Sequence, residues 1–375
     1  MKERIAGFQK RLAEQGIDAA LLFYSRDVLY YTGTAQPSCL AVTPDDYTLY
    51  VRSGFEFAVE DIFIGREKLL EERRLDRIVS GASTRIAGRP GRIGTELDIL
   101  TAEQFEGLRK LCPGMDFVNI SPITLAQRGV KEPGEITRLR RACDAVHAGH
   151  EAVLATLREG VTELELAAAI ENAHRLAGHE GIFFIRLPDF FMSRGPIGAG
   201  PNLLRNSGVV YTITGVGLSP AVPAGPSRRA IGRGETIVVD IPTLVEGYHA
   251  DQTRTYCIGK AGEAVHALFD DLKTVADHLI DAIKPGMTGR EVFRMAAEKA
   301  GAIGRSAEFQ SFGKGRSSRM IGHGIGLELN EPPILSEFDA SPIPEGCVVA
   351  LDMHMMAEGS GVVKLEDMIL VGHDG

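Results

Sequence analysis

Two aspartates in the segment VVDIPTLVEGYHADQTRT have the spacing of a shared cation site. Asp240 ends an apolar run, where an ionised carboxylate is disfavoured, and Asp251 follows 11 positions later, beyond a turn at Gly247. A hairpin across that turn would bring the two carboxylates side by side, where they repel each other unless a cation or a proton lies between them. Either aspartate alone would more often be a turn or cap residue, but the pair around a buried hairpin indicates a cation site.

One histidine and two further acids have the same character. His323 lies in IGHGIGLELNEPP, where closely spaced glycines let the backbone pass close to a ligand. Asp352 in VVALDMH and Glu366 in GVVKLEDMILV each interrupt an apolar strand and therefore need a partner. Asp367 should point to the opposite face of its strand from Glu366, because side chains alternate along a strand. We expect one of these two neighbouring acids to be solvated or capped by an arginine.

Together these residues offer four carboxylates and one imidazole. Hard oxygen ligands with one nitrogen suit Mn, Fe(II), Co or Zn better than Cu(I), and they suit a site for two ions. Two such ions, roughly 3.5–4 Å apart, lower the pKa of a bridging water and hold a tetrahedral intermediate. The sequence therefore predicts a dinuclear hydrolytic centre.

The first third of the chain alternates strand and helix patterns. Helical periodicity extends over residues 3–15, a buried strand over 19–23, a hairpin around Pro44, and a helix over 101–111. This alternation predicts a small α/β domain that ends near residue 128.

The remainder of the chain reads as a second, α+β domain. The segment VKEPGEI (130–136) interrupts the preceding pattern, and Glu135 opens a long helix. A second helix begins at Thr162, where Glu165 completes a capping-box pattern. Two β-rich blocks follow, separated by helices, and they contain all five candidate ligands.

Composition excludes several function classes. The formal net charge is −9, from 50 acidic and 41 basic residues, which argues against a general binder of nucleic acid or anionic membranes. No apolar run approaches the roughly 20 residues that span a bilayer, and the N-terminus lacks the apolar core of a signal peptide. The five cysteines are scattered and predict reduced thiols. We therefore expect a cytoplasmic protein.

Three motifs carry a family resemblance: DxxxxxxGYxxDxTRT, GHGIGLxxxEPP and the final LED strand. In combination they resemble the "pita-bread" family of prolidases, Xaa-Pro aminopeptidases, methionine aminopeptidases and creatinase. The resemblance implies a creatinase/prolidase-like α/β N-terminal domain over residues 1–128 and an α+β pita-bread catalytic domain with a curved antiparallel sheet over 129–375. It also implies a homodimer and two divalent metal ions. The implied metal ligands are Asp240, Asp251, His323, Asp352 and Glu366.

The sequence departs from the family pattern at three positions. Asp352 stands where the family usually has glutamate, so its oxygens are withdrawn by roughly 1.5 Å, one C–C bond length. Three outcomes are open: Asp352 still binds, one metal is lost, or His354 adds a nitrogen ligand. Asn330 and Pro223 replace two family histidines that assist peptide hydrolysis, and such groups typically contribute roughly 10²–10⁴-fold each.

Other residues could compensate for those replacements. The amide of Asn330 can donate a hydrogen bond to an oxyanion, and Arg254 follows the second metal aspartate. Arg228 in the Pro223 loop and His354 are candidate substrate-binding residues. Glu366 is the candidate for handling the proton of the bridging water. The stretch FFIRLPDFFMSRGPIGAGPN (183–202) could shape a substrate pocket or be a surface loop.

Three functions remain open from the sequence. The first is metal-dependent hydrolysis of a peptide-like C–N bond, in which the substrate's carboxylate or α-amino group is bound by the metals or the loop arginines. The second is a creatinase-like or lyase reaction on a small carboxylate. The third is a catalytically silent binding module. Carboxylates buried in apolar strands argue against the third, because their desolvation is costly without a cation.

Overall fold

The structure is a computed structural model. It describes residues 2–83, 91–187, 195–208 and 212–373. The chain divides into two units, Met1–Arg128 and Gly129–Gly375, and each unit has its own apolar core. Within the described ranges, no helix combines the length and the apolar character that crossing a bilayer requires.

The first unit is built on a six-stranded mixed sheet. Its strands are β1 (Ala19–Leu22), β2 (Ser38–Val42), β3 (Tyr47–Val51), β4 (Leu69–Glu71), β5 (Arg92–Thr95) and β6 (Asp116–Asn119). Its helices are α1 (Lys2–Glu14), α2 (Ser25–Thr32), α3 (Phe55–Asp61), α4 (Leu75–Ser83), α5 (Ala102–Leu111) and α6 (Ser121–Gly129). The strand order is β4-β3-β2-β1-β5-β6, in which β2 pairs antiparallel with β1 and β3 and the other pairings are parallel.

The predicted α/β character of this unit is confirmed. Helix α1, strand β1, the β2–β3 hairpin and helix α5 lie within one or two residues of the predicted bounds. Helix α5 begins where Thr101 accepts a hydrogen bond from the backbone of Gln104 and the Gln104 side chain accepts one in return, which satisfies two backbone donors at the helix end.

Four helices belong to the second unit. They are α7 (Pro133–Thr156), α8 (Glu163–Leu176), α9 (Glu263–Ala282) and α10 (Gly289–Ala302). Helix α7 starts two residues before the predicted Glu135, because Pro133 fits the first helical position, where its missing N–H is not needed. The predicted capping box at Thr162 is confirmed: its hydroxyl accepts a 3.1 Å hydrogen bond from the backbone N–H of Glu165.

The sheet of the second unit has seven antiparallel strands. The strands of this unit are β7 (Ile197–Ala199), β8 (Thr236–Asp240), β9 (Thr243–Val245), β10 (Tyr248–Ala250), β11 (Thr253–Cys257), β12 (Ser311–Gly313), β13 (Arg316–Ser317), β14 (Met320–Gly324), β15 (Glu331–Ser336), β16 (Val348–Ala357) and β17 (Gly361–Leu370). The order in the large sheet is β15-β14-β16-β17-β11-β8-β7. Strands β9 and β10 form a separate hairpin, as do β12 and β13.

The helices cover one face of this sheet. Helices α7 and α8 share a core with Ile237 and Val239 of β8, and helices α9 and α10 share one with Leu351 of β16 and Leu365 of β17. Because side chains alternate along a strand, the even-numbered residues of β8, β16 and β17 project from the other face. That second face is the one that carries the predicted site.

Candidate metal centre

Strand register brings the predicted ligands together on the face of the sheet opposite to the helices. Asp352 of β16 is paired directly with Glu366 of β17, Glu366 with Thr253 of β11, and Thr253 with Asp240 of β8. Directly paired residues point to the same face of a sheet, so these four side chains form a row across four strands. The row is assembled from residues far apart in the sequence, and the register alone aligns it.

The predicted hairpin between the two aspartates is present, with one refinement. Strands β9 and β10 form it, and its turn residues Glu246 and Gly247 both have positive φ, 49° and 78°. Such a turn matches the right-handed twist of the flanking strands. Asp251 lies just after this hairpin and immediately before β11, rather than within the paired strand, so its carboxylate reaches the row from the end of a loop.

Three of the predicted ligands have the arrangement of a metal site. One donor atom each from Asp251, His323 and Glu366 lies within 4.8 Å of the others, and all three residues are buried. The Nε2 atom of His323 is 4.0 Å from Oε1 of Glu366. The Nδ1 atom of His323 is 3.0 Å from the carbonyl oxygen of Gly324 and must donate its proton to it, which leaves the Nε2 lone pair for a metal ion.

Unsatisfied oxygens support a cation at this position. Within the described part of the chain, Asp251 Oδ1 and Glu366 Oε1 are buried and have no hydrogen-bond partner. The other oxygen of Glu366 accepts a 2.9 Å hydrogen bond from the Thr253 hydroxyl. Buried polar atoms are normally paired, so two orphaned carboxylate oxygens beside an imidazole lone pair fit a divalent ion.

Lys364 is the residue of this centre that sequence reasoning missed. Its side chain is fully buried, and its ammonium contacts the carboxylate of Asp240, lies 3.1 Å from Oδ1 of Asp352 and lies 3.9 Å from Oε2 of Glu366. The signal was present, because a lysine two positions before Glu366 in an apolar strand must share its face. A lysine is almost never fully buried unless it is paired.

The electrostatics of the carboxylates reflect their crowding. Burial raises the pKa of Asp251 and of Glu366 well above the ordinary carboxyl values, and the neighbouring carboxylates raise both further. The ammonium of Lys364 acts in the opposite direction on both groups. Burial also raises the pKa of Asp240, where the same lysine opposes it. Without a further cation, the cluster therefore favours uptake of protons.

The two nitrogen groups respond to the same surroundings in different ways. Burial would lower the pKa of Lys364, but the carboxylates of Asp240, Asp352 and Glu366 outweigh that effect and raise it above its ordinary value. The ammonium therefore remains charged at neutral pH. Burial lowers the pKa of His323, so its imidazole is neutral at pH 7, which is the form that binds a metal ion.

The structure does not bring Arg254 to the cluster, which corrects its prediction as a catalytic residue. Arg254 is paired with Val239 of β8, so it projects from the helix-covered face, opposite to Asp240. Its guanidinium lies 2.6 Å from Asp367 and donates to the backbone carbonyl of Glu366. The expectation that one of the two neighbouring acids is capped by an arginine is thereby confirmed for Asp367.

The remaining candidates lie around the centre rather than in it. His354 is on the same face as Asp352, but it is buried, its Nε2 is 3.0 Å from the carbonyl oxygen of Ser311, and its ring stacks on Phe312. Asn330 is half-buried in the loop between β14 and β15, and Arg228 is exposed in the loop before β8. Of the predicted pocket stretch 183–202, residues 188–194 lie outside the described part of the chain.

A cavity of about 1460 Å³ opens on the same face of the sheet. Thr236 and Met356 line it, each four positions along its strand from Asp240 and Asp352 respectively, and none of the five candidate ligands is among its lining residues. Pro223 lines it as well, and its charged lining is mixed: four basic residues, Arg205, Lys314, Arg316 and Arg319, and three acidic ones, Glu235, Glu308 and Glu358.

Comparison with known proteins decides the family. The model of metallopeptidase family M24 matches residues 137–373, and that of the creatinase/prolidase N-terminal domain matches residues 4–130. The chain belongs to metallopeptidase family M24. This M24 protein is therefore a metallopeptidase-type enzyme, and membership implies a divalent metal cofactor, which the cluster of Asp251, His323 and Glu366 fits.

Individual relatives agree with this M24 assignment. The chain is 26% identical to the Xaa-Pro dipeptidase of Pyrococcus furiosus over 379 residues, covering 100% of this chain and 97% of the relative. The solved prolidase of Pyrococcus horikoshii OT3 superimposes with a TM-score of 0.82 at 24% identity, covering 100% of this chain and 96% of that one. The solved Xaa-Pro dipeptidase from Bacillus anthracis superimposes with a TM-score of 0.83 at 22% identity, covering 100% of this chain and 95% of that one. The predicted fold class, an α/β N-terminal domain with a pita-bread domain, is confirmed.

Proposed function

We propose that this protein is a metal-dependent hydrolase that cleaves a peptide-like C–N bond in a small substrate such as an Xaa-Pro dipeptide. The observation that carries this proposal is the convergence of Asp251, His323 and Glu366 within 4.8 Å, with two orphaned carboxylate oxygens. The names of the relatives, Xaa-Pro dipeptidase and prolidase, support the substrate class.

The roles of the chain's own residues follow from their positions. A divalent ion supplies Lewis-acid activation of a water molecule and of the scissile carbonyl when it is bound at this centre. Glu366 is held by Thr253 through Oε2 and would offer Oε1 to the ion, so the proton of the attacking water would pass to this metal-bound carboxylate and from it to the leaving nitrogen. The amide of Asn330 is the candidate donor to the developing oxyanion.

The finer features of the enzyme are also proposals. The ligand set favours Mn, Co, Fe or Zn. The family resemblance predicts two ions, and a second ion would need Asp240 and Asp352 as further ligands. We propose residues 129–375 as the catalytic domain, residues 1–128 as its N-terminal partner, a cytoplasmic location and a homodimer, all from the family resemblance.

Metal content and peptidase activity together test the proposed function. The purified protein should bind Mn²⁺ or Co²⁺ and cleave Xaa-Pro dipeptides only when one of these ions is present. The variant His323→Ala should lose both properties, because it removes the neutral nitrogen donor. The matched control His373→Ala changes a histidine whose side chain is 83% exposed and should lose neither. A wild-type protein that neither binds these ions nor cleaves the dipeptides would overturn the proposal.

A small carboxylate that is not a peptide is the second candidate substrate. The family resemblance favours it, because that resemblance implies histidines at the positions where this chain has Pro223 and Asn330. Creatine-like amidines and small amino acid derivatives should be tested in the same assay. Turnover of one of these substrates, in place of dipeptides, would favour this second reaction on the same centre.

A further inference from the structure

The five candidate ligands divide into two groups according to what they contact. Asp240 and Asp352 both contact the ammonium of Lys364. Donor atoms of Asp251, His323 and Glu366 lie within 4.8 Å of one another, and Glu366 approaches the ammonium only through Oε2, at 3.9 Å. Among the described ligands, three carboxylate oxygens have no hydrogen-bond partner: Asp352 Oδ1, which lies 3.1 Å from the ammonium, and Asp251 Oδ1 and Glu366 Oε1, which belong to this second group. One cation position is therefore filled by the Lys364 ammonium, and the other lies between Asp251, His323 and Glu366.

We infer that Lys364 takes the place of one of the two metal ions, so that this centre binds a single divalent ion on Asp251, His323 and Glu366. The inference rests on the proposed function, since it assigns the metal stoichiometry of that same site. It makes Lys364 a permanent internal counter-ion, supplied by the chain itself, for Asp240 and Asp352.

The position of Lys364 is fixed by the sheet. Its backbone N–H donates a 2.9 Å hydrogen bond to the hydroxyl of Thr255, and that hydroxyl donates a 2.8 Å bond to the carbonyl of Lys364. The whole side chain is buried, with 0% of it exposed, so the ammonium cannot move into solvent to make room for an ion. Lys364 is also paired directly with His354 of the neighbouring strand β16, which fixes its position in the sheet.

Charge balance also favours a single ion. The four carboxylates carry four negative charges, which the ammonium and one divalent ion reduce to one. A second divalent ion would reverse the sign of the centre and would share the oxygens of Asp240 and Asp352 with the ammonium. The ammonium and a second divalent ion bound to the same oxygens would both be positive, and two positive charges within a few ångströms repel strongly in a buried site.

The aspartate at position 352 fits this arrangement. An aspartate side chain is one methylene shorter than that of glutamate, so its oxygens are withdrawn by roughly one C–C bond length. An ammonium carried on a long flexible stem can reach a withdrawn carboxylate, and the Lys364 ammonium lies 3.1 Å from it. The departure at Asp352 and the presence of Lys364 therefore form one structural unit.

The stoichiometry of Mn²⁺ binding tests the inference without any activity measurement. Equilibrium dialysis with elemental analysis should give close to one Mn²⁺ per wild-type chain. The electron paramagnetic resonance spectrum should be that of an isolated Mn²⁺ ion and should lack the features of a spin-coupled pair. The variant Asp240→Asn should retain its one ion, whereas Asp251→Asn should lose it.

Replacement of the lysine gives the complementary result. Lys364→Met removes the ammonium while keeping an unbranched apolar stem, so it should bind a second Mn²⁺ and show spin coupling. If Lys364→Met does not fold, the stoichiometry of the wild type and of Asp240→Asn still decides the question. Lys273→Met, at an exposed surface pair, is the matched control and should bind one ion.

Each contrary result has a distinct meaning. Two tightly bound, spin-coupled ions in the wild type would overturn the inference while leaving the proposed hydrolase intact. One ion in both the wild type and a folded Lys364→Met variant would overturn the role of the lysine. No bound metal in the wild type would overturn the proposed function, and the inference with it.

Discussion

The hydroxyl of Thr253 donates a 2.9 Å hydrogen bond to Oε2 of Glu366, and the two residues are directly paired across strands β11 and β17. This bond orients the carboxylate, so that its other oxygen faces Asp251 and His323. Thr253 is fully buried and belongs to the TRT motif that carries part of the family resemblance. Its contribution to the centre is therefore the positioning of Glu366.

Loss of that hydroxyl should weaken the centre without unfolding the protein. Thr253→Val keeps the shape of the side chain, and loss of an outer-shell hydrogen bond typically lowers metal affinity or activity by ~10–100-fold. We expect kcat on an Xaa-Pro dipeptide and Mn²⁺ affinity to fall within that range, with little change in KM. The control Thr95→Val removes a comparable buried 2.8 Å bond to the carbonyl of Leu21 in the first unit and should leave both unchanged. Wild-type kinetics in Thr253→Val would contradict the positioning role.

Removal of the Lys364 ammonium should destabilise the metal-free protein. Breaking a buried ion pair from one side typically costs about 3–5 kcal/mol, because the partner carboxylates stay buried without a counter-ion. Urea unfolding of Lys364→Met in the presence of a chelator should show a loss of this size, and added Mn²⁺ should restore much of it. Lys273→Met breaks a half-exposed pair with Asp277 and should cost less than about 1 kcal/mol. Equal losses in the two variants would contradict the assignment of Lys364.

The contribution of Glu366 to the stability of the metal-free protein should fall as pH rises. The folded-state pKa of Glu366 lies well above its ordinary value of 4.5, so the folded chain binds a proton there that the unfolded chain has already released. The resulting stabilisation is complete below the ordinary value and is lost as pH rises through the folded-state pKa. Thermal unfolding in a chelator should therefore have a different slope against pH above pH 4.5 in Glu366→Gln than in the wild type, and the difference should correspond to the loss of this declining contribution. An unchanged slope in Glu366→Gln would count against the raised pKa.

Binding of metal should have the opposite dependence. Protons and a divalent ion compete for Asp251 and Glu366, and the ion binds the deprotonated carboxylates. The increase in Tm caused by a fixed concentration of Mn²⁺ should therefore grow over the same pH range. A constant increase from low to neutral pH would show that these carboxylates do not hold the ion.

Arg254 should prove structural rather than catalytic. It lies on the helix-covered face of the sheet, and its pair with Asp367 is one-third exposed. Arg254→Met should therefore lower kcat by less than about 10-fold, whereas Glu366→Gln should lower it by at least about 10². Both variants should be compared at saturating Mn²⁺, so that altered metal affinity does not enter the comparison. A loss in Arg254→Met as large as that in Glu366→Gln would restore Arg254 as a catalytic candidate.

Much of the architecture was predictable because its signals are local. Alternating periodicity predicted the first unit, and the turn at Gly247 predicted the hairpin that separates Asp240 from Asp251. Acids interrupting apolar strands marked Asp352 and Glu366, since such acids require a partner. The family motifs then joined these fragments into one fold.

The missed Lys364 and the misplaced Arg254 have one cause. The alternation of side chains along a strand was applied to Glu366 and Asp367 but not to the other residues of these strands. The rule that separates Glu366 from Asp367 also places Lys364 beside Glu366, and it places Arg254 opposite to Thr253. The position of Asp251 in a loop could not be obtained in this way, because a loop residue has no strand parity. Distances between residues on different strands depend on how those strands are paired. The sequence of one strand alone does not specify that pairing.

The order of strands in the large sheet determines when the enzyme can become functional during its synthesis. Strand β17 is the latest strand of the described chain, yet it lies in the interior of the sheet, between β16 and β11. Until it is translated and inserted, Asp240 and Thr253 on one side have no connection to His323 and Asp352 on the other. A nascent chain therefore cannot assemble the hydrolytic centre before this last strand is made, and long-range closure of this kind is intrinsically slow. The topology thus delays assembly of the metal centre until β17 has joined the sheet of the second unit.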